Sequence, residues 1–193
     1  MTVLPKQARP LPDRLSAGAH ILFVGINPGI RSATVGHHFA GPSNRFWKLL
    51  FASGLIGEQL TYEQDWKLPE WGLGLTNIIS RSSVGIDELN PEEYRVGLAA
   101  LERKIRRYRP RTVAFLGVTI YRILFPHENG ERLFAVGPTE ARLAGVPVFV
   151  LPNPSGRNAH YSYEEMLRIF ILLRKHAYAS ARRRIRPHYF LLP

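Results

Sequence analysis

Five residues, Gly25-Ile26-Asn27-Pro28-Gly29, combine two glycines, a proline and a side-chain amide. Gly25 and Gly29 let backbone approach a ligand closely and adopt dihedrals closed to other residues. Pro28 fixes the turn and removes one donor. Asn27 offers both a donor and an acceptor, suited to holding a water molecule or the edge of a planar ring. The competing role is an Asx turn that satisfies only its own backbone. The Gly-Lys-Ser/Thr ending of a phosphate loop is missing, and Pro28 interrupts any dinucleotide fingerprint. A second Asn-Pro opens "NPSGRN" at 153–158. There Asn153, Ser155, Gly156 and Asn158 form a small hydrogen-bonding loop with Arg157 at its tip. Such a loop can touch phosphates and push its tip into a gap in a stack of bases.

Three further stretches carry candidate chemistry. Phe39, in the loop "HHFAGPSNRFW", can stack on a planar ligand, although an isolated Phe is more often core. His37 and His38 lack partner acids or histidines at ligand spacing, so no metal site is expected. Asn77 lies in the apolar run 73–79, and Asp87 follows in "SSVGIDELN".

Positioning these residues requires a sheet. "HILFVG" (20–25), "LGLTNII" (73–79), "TVAFLG" (112–117) and "VPVFVLP" (146–152) read as buried strands. Between them, 42–54 reads as a helix with Phe46, Trp47, Leu50 and Phe51 on one face. "NPEEYRVGLAALERKIRRYRP" is the clearest helix. Asn90 caps it, Pro91 fits its first turn, and Tyr94, Leu98, Leu101, Ile105 and Tyr108 form its apolar stripe. The cations of its last turn read as a solvated cap matched to the helix dipole. Residues 162–179 open with a Ser-x-x-Glu capping box and are apolar nearly all round, which predicts a buried helix. Strands alternating with helices predict a doubly wound α/β fold with a mainly parallel sheet. In such a sheet, ligands bind at the carboxyl ends of the strands. "GINPG", Asn77 and "NPSG" would then share one edge.

The chain has 193 residues, 45% of them hydrophobic, enough for one well-filled core. A single domain over 19–180 is expected between a Pro-rich, extended and mobile arm (1–18) and a basic tail (181–193). The net charge of +11 favours a polyanionic partner, of which nucleic acid is the commonest. The absence of cysteine excludes disulfides, thiolate metal sites, iron–sulfur clusters and a cysteine nucleophile. No run approaches the ~20 apolar residues of a membrane span. A soluble, cytoplasmic monomer is expected, nucleoid-associated if the source is prokaryotic.

"GINPG", "FAGPSNRFWKLL" and "LPNPSG", in that order, resemble the mismatch-specific uracil/thymine DNA glycosylases, a branch of the uracil-DNA glycosylase superfamily. The resemblance runs over roughly 18–178. It implies a three-layer α/β/α fold and hydrolysis of the N-glycosidic bond of a base flipped out of duplex DNA. It implies that Asn27 positions the attacking water and that Phe39 stacks on the uracil. Backbone around Gly25, Ile26 and Gly29 would read the ring's edge, with Asn77 nearby, and "NPSGRN" would fill the gap in the duplex. No cofactor is implied. Two departures stand out. "GINPG" lacks the water-activating Asp of more active relatives, which predicts slow chemistry or help from another acid, Asp87 being nearest. Its competing role is a capping or surface acid. Arg157 stands where the resemblance leads one to expect an apolar wedge, which predicts looser preference for an opposite guanine. Two rivals remain: a non-catalytic basic nucleic-acid-binding α/β domain, and an enzyme processing free nucleotides or phosphate esters.

Overall fold

The computed structural model describes residues 10–126 and 136–182, the last three as backbone only. The first nine residues of the arm and the tail beyond Arg182 lie outside the described residues. The elements are β1 (Ile21–Gly25), α1 (Ile30–Val35), α2 (Phe46–Ala52), a 3-10 helix (Tyr62–Trp71), β2 (Leu73–Asn77), a 3-10 turn (Ile86–Glu88), α3 (Pro91–Tyr108), β3 (Val113–Leu116), α4 (Val118–Leu124), β4 (Gly137–Leu143), β5 (Val146–Leu151) and α5 (Tyr163–Arg182). One five-stranded sheet runs in the order β2-β1-β3-β5-β4. Its first four strands are parallel, and β4 pairs antiparallel with β5 at the edge.

The four parallel strands are buried on both faces, with successive side chains pointing to opposite sides, whereas the edge strand β4 alternates buried and exposed residues. Phe23, Leu75, Ala114 and Phe149 point into one apolar layer with α2 and α5, through Phe46, Leu50, Met166 and Phe170. Leu22, Val24, Val113 and Phe115 point into the other, with α3 and α4, through Tyr94, Leu101, Ile105 and Ile120. The result is the expected three-layer α/β/α arrangement. The chain leaves β1 toward β2 on one side and leaves β3 toward β5 on the other. Connections therefore diverge between the carboxyl ends of β1 and β3, the place where such sheets open a crevice.

Local details differ from the sequence reading. On α2, Leu49 is buried and Phe51 is 41% exposed. The helix is only seven residues long and turns Leu49, rather than Phe51, onto α5 and the sheet. On α3, Tyr94, Gly97, Leu101 and Ile105 are buried, while Leu98 and Tyr108 lie at the margin. Asn90 caps α3 as expected and does so in a capping box with Glu93, and the expected box of Ser162 with Glu165 forms at α5. α5 is not buried all round. Met166, Phe170, Leu173 and Ala177 face the core, but Leu172 is 45% exposed, because α5 covers an outer face of the sheet. Part of the arm is fastened: Arg14 pairs with Leu75 along β2. Asp13 accepts from Thr76 and Lys104. Among the described residues, no helix is long and apolar enough to cross a membrane.

Candidate active site

A groove of about 790 Å³ opens at the carboxyl ends of β1, β3 and β5. Gly25, Ile26, Asn27, Gly29, Phe39, Asp87, Asn153, Ser155, Gly156, Arg157 and Asn158 all line it. The loop after β1 is drawn against the end of β2: the N–H groups of Ile78 and Ile79 donate to the carbonyls of Gly25 and Ile26 at 3.0 and 2.8 Å. Asn77 lies just behind the lining, in register with Gly25. A Cβ on Gly25 would sit 2.5 Å from the Asn77 side-chain oxygen and 3.8 Å from the Phe39 ring. Glycine at 25 is what lets these two groups close over the strand end.

Asn27 is not an Asx turn. Its Nδ2 donates to Ser83 Oγ at 2.8 Å and to the Arg81 carbonyl at 3.2 Å, on a segment more than 50 residues away in sequence. Ser83 Oγ in turn donates to the Gly85 carbonyl at 2.7 Å, so the hydroxyl has a lone pair to offer Asn27. A carbonyl can only accept, so the amide nitrogen must face the Arg81 carbonyl, and the side-chain orientation follows from chemistry. Oδ1 is left as the amide's available acceptor at the groove. The clamp is itself anchored. The Arg81 guanidinium grips Glu93 at the start of α3 and the Glu88 carbonyl. That grip, together with the Asn90 N–H, holds the Glu93 carboxyl down at about 2.

Phe39 adopts a left-handed backbone, φ 53°. For a non-glycine residue this costs about 1–2 kcal/mol, and it persists where the surroundings over-determine it. They do so here. On one side the His38 N–H donates to Asp65 Oδ2 at 3.0 Å. On the other, the Ala40 N–H donates to Ser32 Oγ and the Ala40 carbonyl accepts from Arg31 Nε. The Phe39 ring packs on Phe46, centroids 4.3 Å apart. His38 is buried, with Nε2 3.1 Å from the Pro12 carbonyl, which makes Nε2 a donor. Burial pushes its pKa below the usual histidine range, partly offset by the Pro12 hydrogen bond and Asp65. Asp65 has no exposed surface and is met by Arg14, His37 Nδ1 and the His38 N–H. The histidine pair does have an acidic neighbour, then, supplied from far along the chain and serving to hold the Phe39 loop.

The 153–158 loop is built locally. Ser155 N–H donates to Asn153 Oδ1 at 3.0 Å, Arg157 N–H donates to Ser155 Oγ, and Asn158 Nδ2 donates to the Asn153 carbonyl at 2.9 Å. Arg45 staples this loop to α2: its guanidinium donates to the carbonyls of Ser155, Asn158 and Tyr161. Its own N–H donates to the Pro154 carbonyl. Gly156 presses on Ser43, where a Cβ would come within 2.3 Å of the Ser43 side chain. Arg157 is exposed at the tip. Asp87 sits exposed on the rim, in the 3-10 turn Ile86–Glu88, and Glu88 rather than Asp87 takes the Val84 N–H.

Sequence reasoning missed Ser83, Arg45 and Asp65. Ser83 is one serine among several in a polar loop, and Arg45 carries no signal that sets it apart from the other cations of the chain. Asp65 gave no signal at all, because its partners are 27 to 51 residues away. No group of three or more metal-ligating side chains occurs among the described residues.

Known proteins share this architecture. A solution NMR structure of a protein from Methanosarcina acetivorans matches with a TM-score of 0.58 at 22% identity, over 90% of this chain and 99% of that one, a likeness of fold alone. The G/U mismatch-specific uracil DNA glycosylase of Schizosaccharomyces pombe is 38% identical over 167 residues, 83% of this chain and 51% of that protein. The chain thus spans about half the length of this curated relative. The family model described as the uracil DNA glycosylase superfamily matches residues 12–174. With a match over nearly the whole described sheet and its flanking loops, this chain belongs to the uracil DNA glycosylase superfamily.

Proposed function

We propose that the chain hydrolyses the N-glycosidic bond of uracil, with thymine a further candidate substrate, in mismatched duplex DNA. The observation that carries this reading is the Asn27 clamp. Ser83 and the Arg81 carbonyl take the amide hydrogens and leave Oδ1 to accept a hydrogen bond from water. In the reaction, the C1′–N1 bond breaks and its electron pair leaves with the base as an anion. The water oxygen bonds to C1′ and releases its proton. Asn27 orients that water but cannot take the proton, so the chemistry is slow unless Asp87 on the rim accepts it. Phe39 supplies the face on which the flipped ring stacks. Backbone at Gly25, Ile26 and Gly29, with the Asn77 amide, surrounds the ring's edge. Donors preorganised toward the base oxygens stabilise the charge that develops there. Ser155, Asn158 and Arg157 occupy the space the base vacates. On this reading the protein works on DNA in the cytoplasm, as a monomer.

The test is single-turnover base release from duplexes holding uracil opposite guanine, uracil opposite adenine or thymine opposite guanine, and from single-stranded uracil DNA. Wild type releases uracil fastest opposite guanine, and Asp87→Ala shows whether the rim acid takes part. Salt-dependent binding without release from any substrate would instead support the non-catalytic binding domain.

A further inference from the structure

The edge of the sheet opposite the groove carries a concentration of positive charge. Three backbone features define that edge: the end of α3, the start of β3 and the turn from β4 to β5. Gly18 N–H donates to the Tyr108 carbonyl and Arg111 N–H donates to the Ala19 carbonyl, which ties the first two to the entry of β1. Arg107 and Arg109 arrive from α3, Arg111 from the approach to β3, and Arg142 from β4 beside its turn. Arg174 arrives from α5 on the other face, lying against Gly54. The positive field reaches the neighbouring rings. Arg111 adds to the burial that lowers the His20 pKa, and Arg174 and Arg111 both pull down the Tyr178 hydroxyl that burial raises. His20 and Tyr178 pack together at 4.6 Å.

Of the other cations on α3, Arg106 pairs with Glu102, Lys104 with Asp13 and Arg95 with Glu92, while Arg103 has no carboxylate partner among the described residues. Among the described residues, none of Arg107, Arg109, Arg111, Arg142 and Arg174 has a carboxylate within 4 Å. Arg107, Arg109, Arg111 and Arg142 are exposed. A helix-end cap accounts for Arg107 and Arg109 alone. Arg111 and Arg142 stand at strand ends, and Arg174 lies inside α5. Four like charges at one edge, with Arg174 on the face behind it, repel one another unless an anion joins them. All five are guanidinium groups, whose planar fork matches paired phosphate oxygens. From β3 to β4 they span two strand spacings, about 10 Å, while duplex DNA carries a charge about every 1.7 Å of its axis.

We infer that this edge is a second binding surface for a nucleic-acid phosphate backbone, taking a duplex segment other than the one in the groove. The inference rests on the reading that the groove takes duplex DNA. The strands between the two edges are four to six residues long, about 13–20 Å of sheet. One duplex would have to double back within a few turns to touch both edges, and DNA stays straight over roughly 150 base pairs. Two segments meet the geometry without bending, so the protein can hold one duplex while it samples another.

The experiment is a sandwich assay. A short uracil-free duplex is immobilised, the full chain is added, and capture of a second, fluorescent duplex is measured over a salt series. Wild type captures it, with capture weakening steeply as salt rises. The Arg107→Gln/Arg111→Gln/Arg142→Gln triple loses capture about tenfold or more, with a salt slope lower by about three charges. The Arg107→Gln/Arg142→Gln double loses an intermediate amount. In both variants, single-turnover release of uracil opposite guanine stays within about twofold of wild type. Undiminished capture in the triple and the double overturns the inference. So does wild-type binding to phosphatidylserine vesicles without capture of a second duplex, which would assign the edge to a lipid surface. Failure of base release with intact, Arg-dependent capture would sink the reading of the groove and leave this surface standing.

Discussion

The molecule uses the dipeptide Asn-Pro twice at strand exits, and the two asparagines have opposite fates. Asn153 spends its side-chain oxygen on the Ser155 N–H two residues away, the Asx turn that Asn-Pro favours locally. Asn27 makes no such turn. Its nitrogen donates to Ser83 and the Arg81 carbonyl on the segment beside it, with a longer contact of 3.4 Å to the Pro28 carbonyl, and its oxygen stays available. Asn153 is consumed in shaping a loop, whereas Asn27 is held by its nitrogen alone, with Oδ1 left available. What separates them is the neighbouring chain. The 78–85 segment leaves β2 beside β1 and brings acceptors to Asn27, while the loop after β5 has only itself and Arg45.

The widest separation between the two should come from truncating each amide. Asn27→Ala is expected to lower single-turnover base release by about 10²–10³-fold, the usual consequence of losing one preorganised polar group. Its melting temperature should change little, because the side chain lies at a groove. Equal loss of rate in Asn153→Ala would break the comparison, since it would give the second turn a chemical role too.

Next in size is Ser83→Ala. It leaves Asn27 in place but removes the 2.8 Å partner that orients it. Losing one such hydrogen bond is worth about 1 kcal/mol, so release should fall about five- to tenfold. Ser83→Thr should keep the hydroxyl and recover most of the loss. Because Ser83 acts through Asn27, Ser83→Ala should cost almost nothing further in an Asn27→Ala background. Additive losses would mean that Ser83 meets the substrate itself.

Asn153→Ala should show its effect in stability. The turn loses its capping acceptor, for about 1 kcal/mol, while the Arg45 staple still fixes Ser155 and Asn158. Chemical denaturation reads the loss, and base release is expected within about threefold of wild type.

The same contrast explains how much could be read in advance. Local patterns delivered the four parallel strands, the cap of α3 and the convergence of "GINPG" and "NPSG", because apolar runs and turn residues act over a few positions. They failed where a distant segment decided the outcome. β4, "GPTEARL", alternates with charged residues as an edge strand does, and only β5 makes it a strand. The run 162–179 is apolar enough for a buried helix, yet an outer layer needs only one of its faces covered. Phe51 and Leu49 exchange places through a small rotation of a short helix. Asp65 and Ser83 hold the site through contacts that no spacing rule anticipates. Asn27 itself was identified from five residues, but which of its atoms is free depends on a segment more than 50 positions away.

The mildest test asks whether the distantly held half of the site is also the acid-sensitive half. Burial holds the His38 pKa below that of the unfolded chain. The unfolded state therefore binds the proton more readily, and the stability contributed by neutral His38 is complete above the unfolded value of about 6.5. It is lost as pH falls from there toward the folded pKa, with a slope of at most about 1.4 kcal/mol per pH unit for one proton. His20 shifts in the same direction, so the wild-type slope contains both residues. Subtracting the profile of His38→Gln isolates the His38 share. Protonated His38 can still donate to Pro12, but it places a charge where burial disfavours one. The Phe39 loop, held by Asp65 through the His38 N–H, should loosen first. Amide hydrogen exchange across pH 7 to 5 should accordingly speed up at residues 37–41 well before 153–158, where every hydrogen bond is local or made by Arg45. Equal acceleration in both loops would show that the two turns share one cooperative unit despite their different construction.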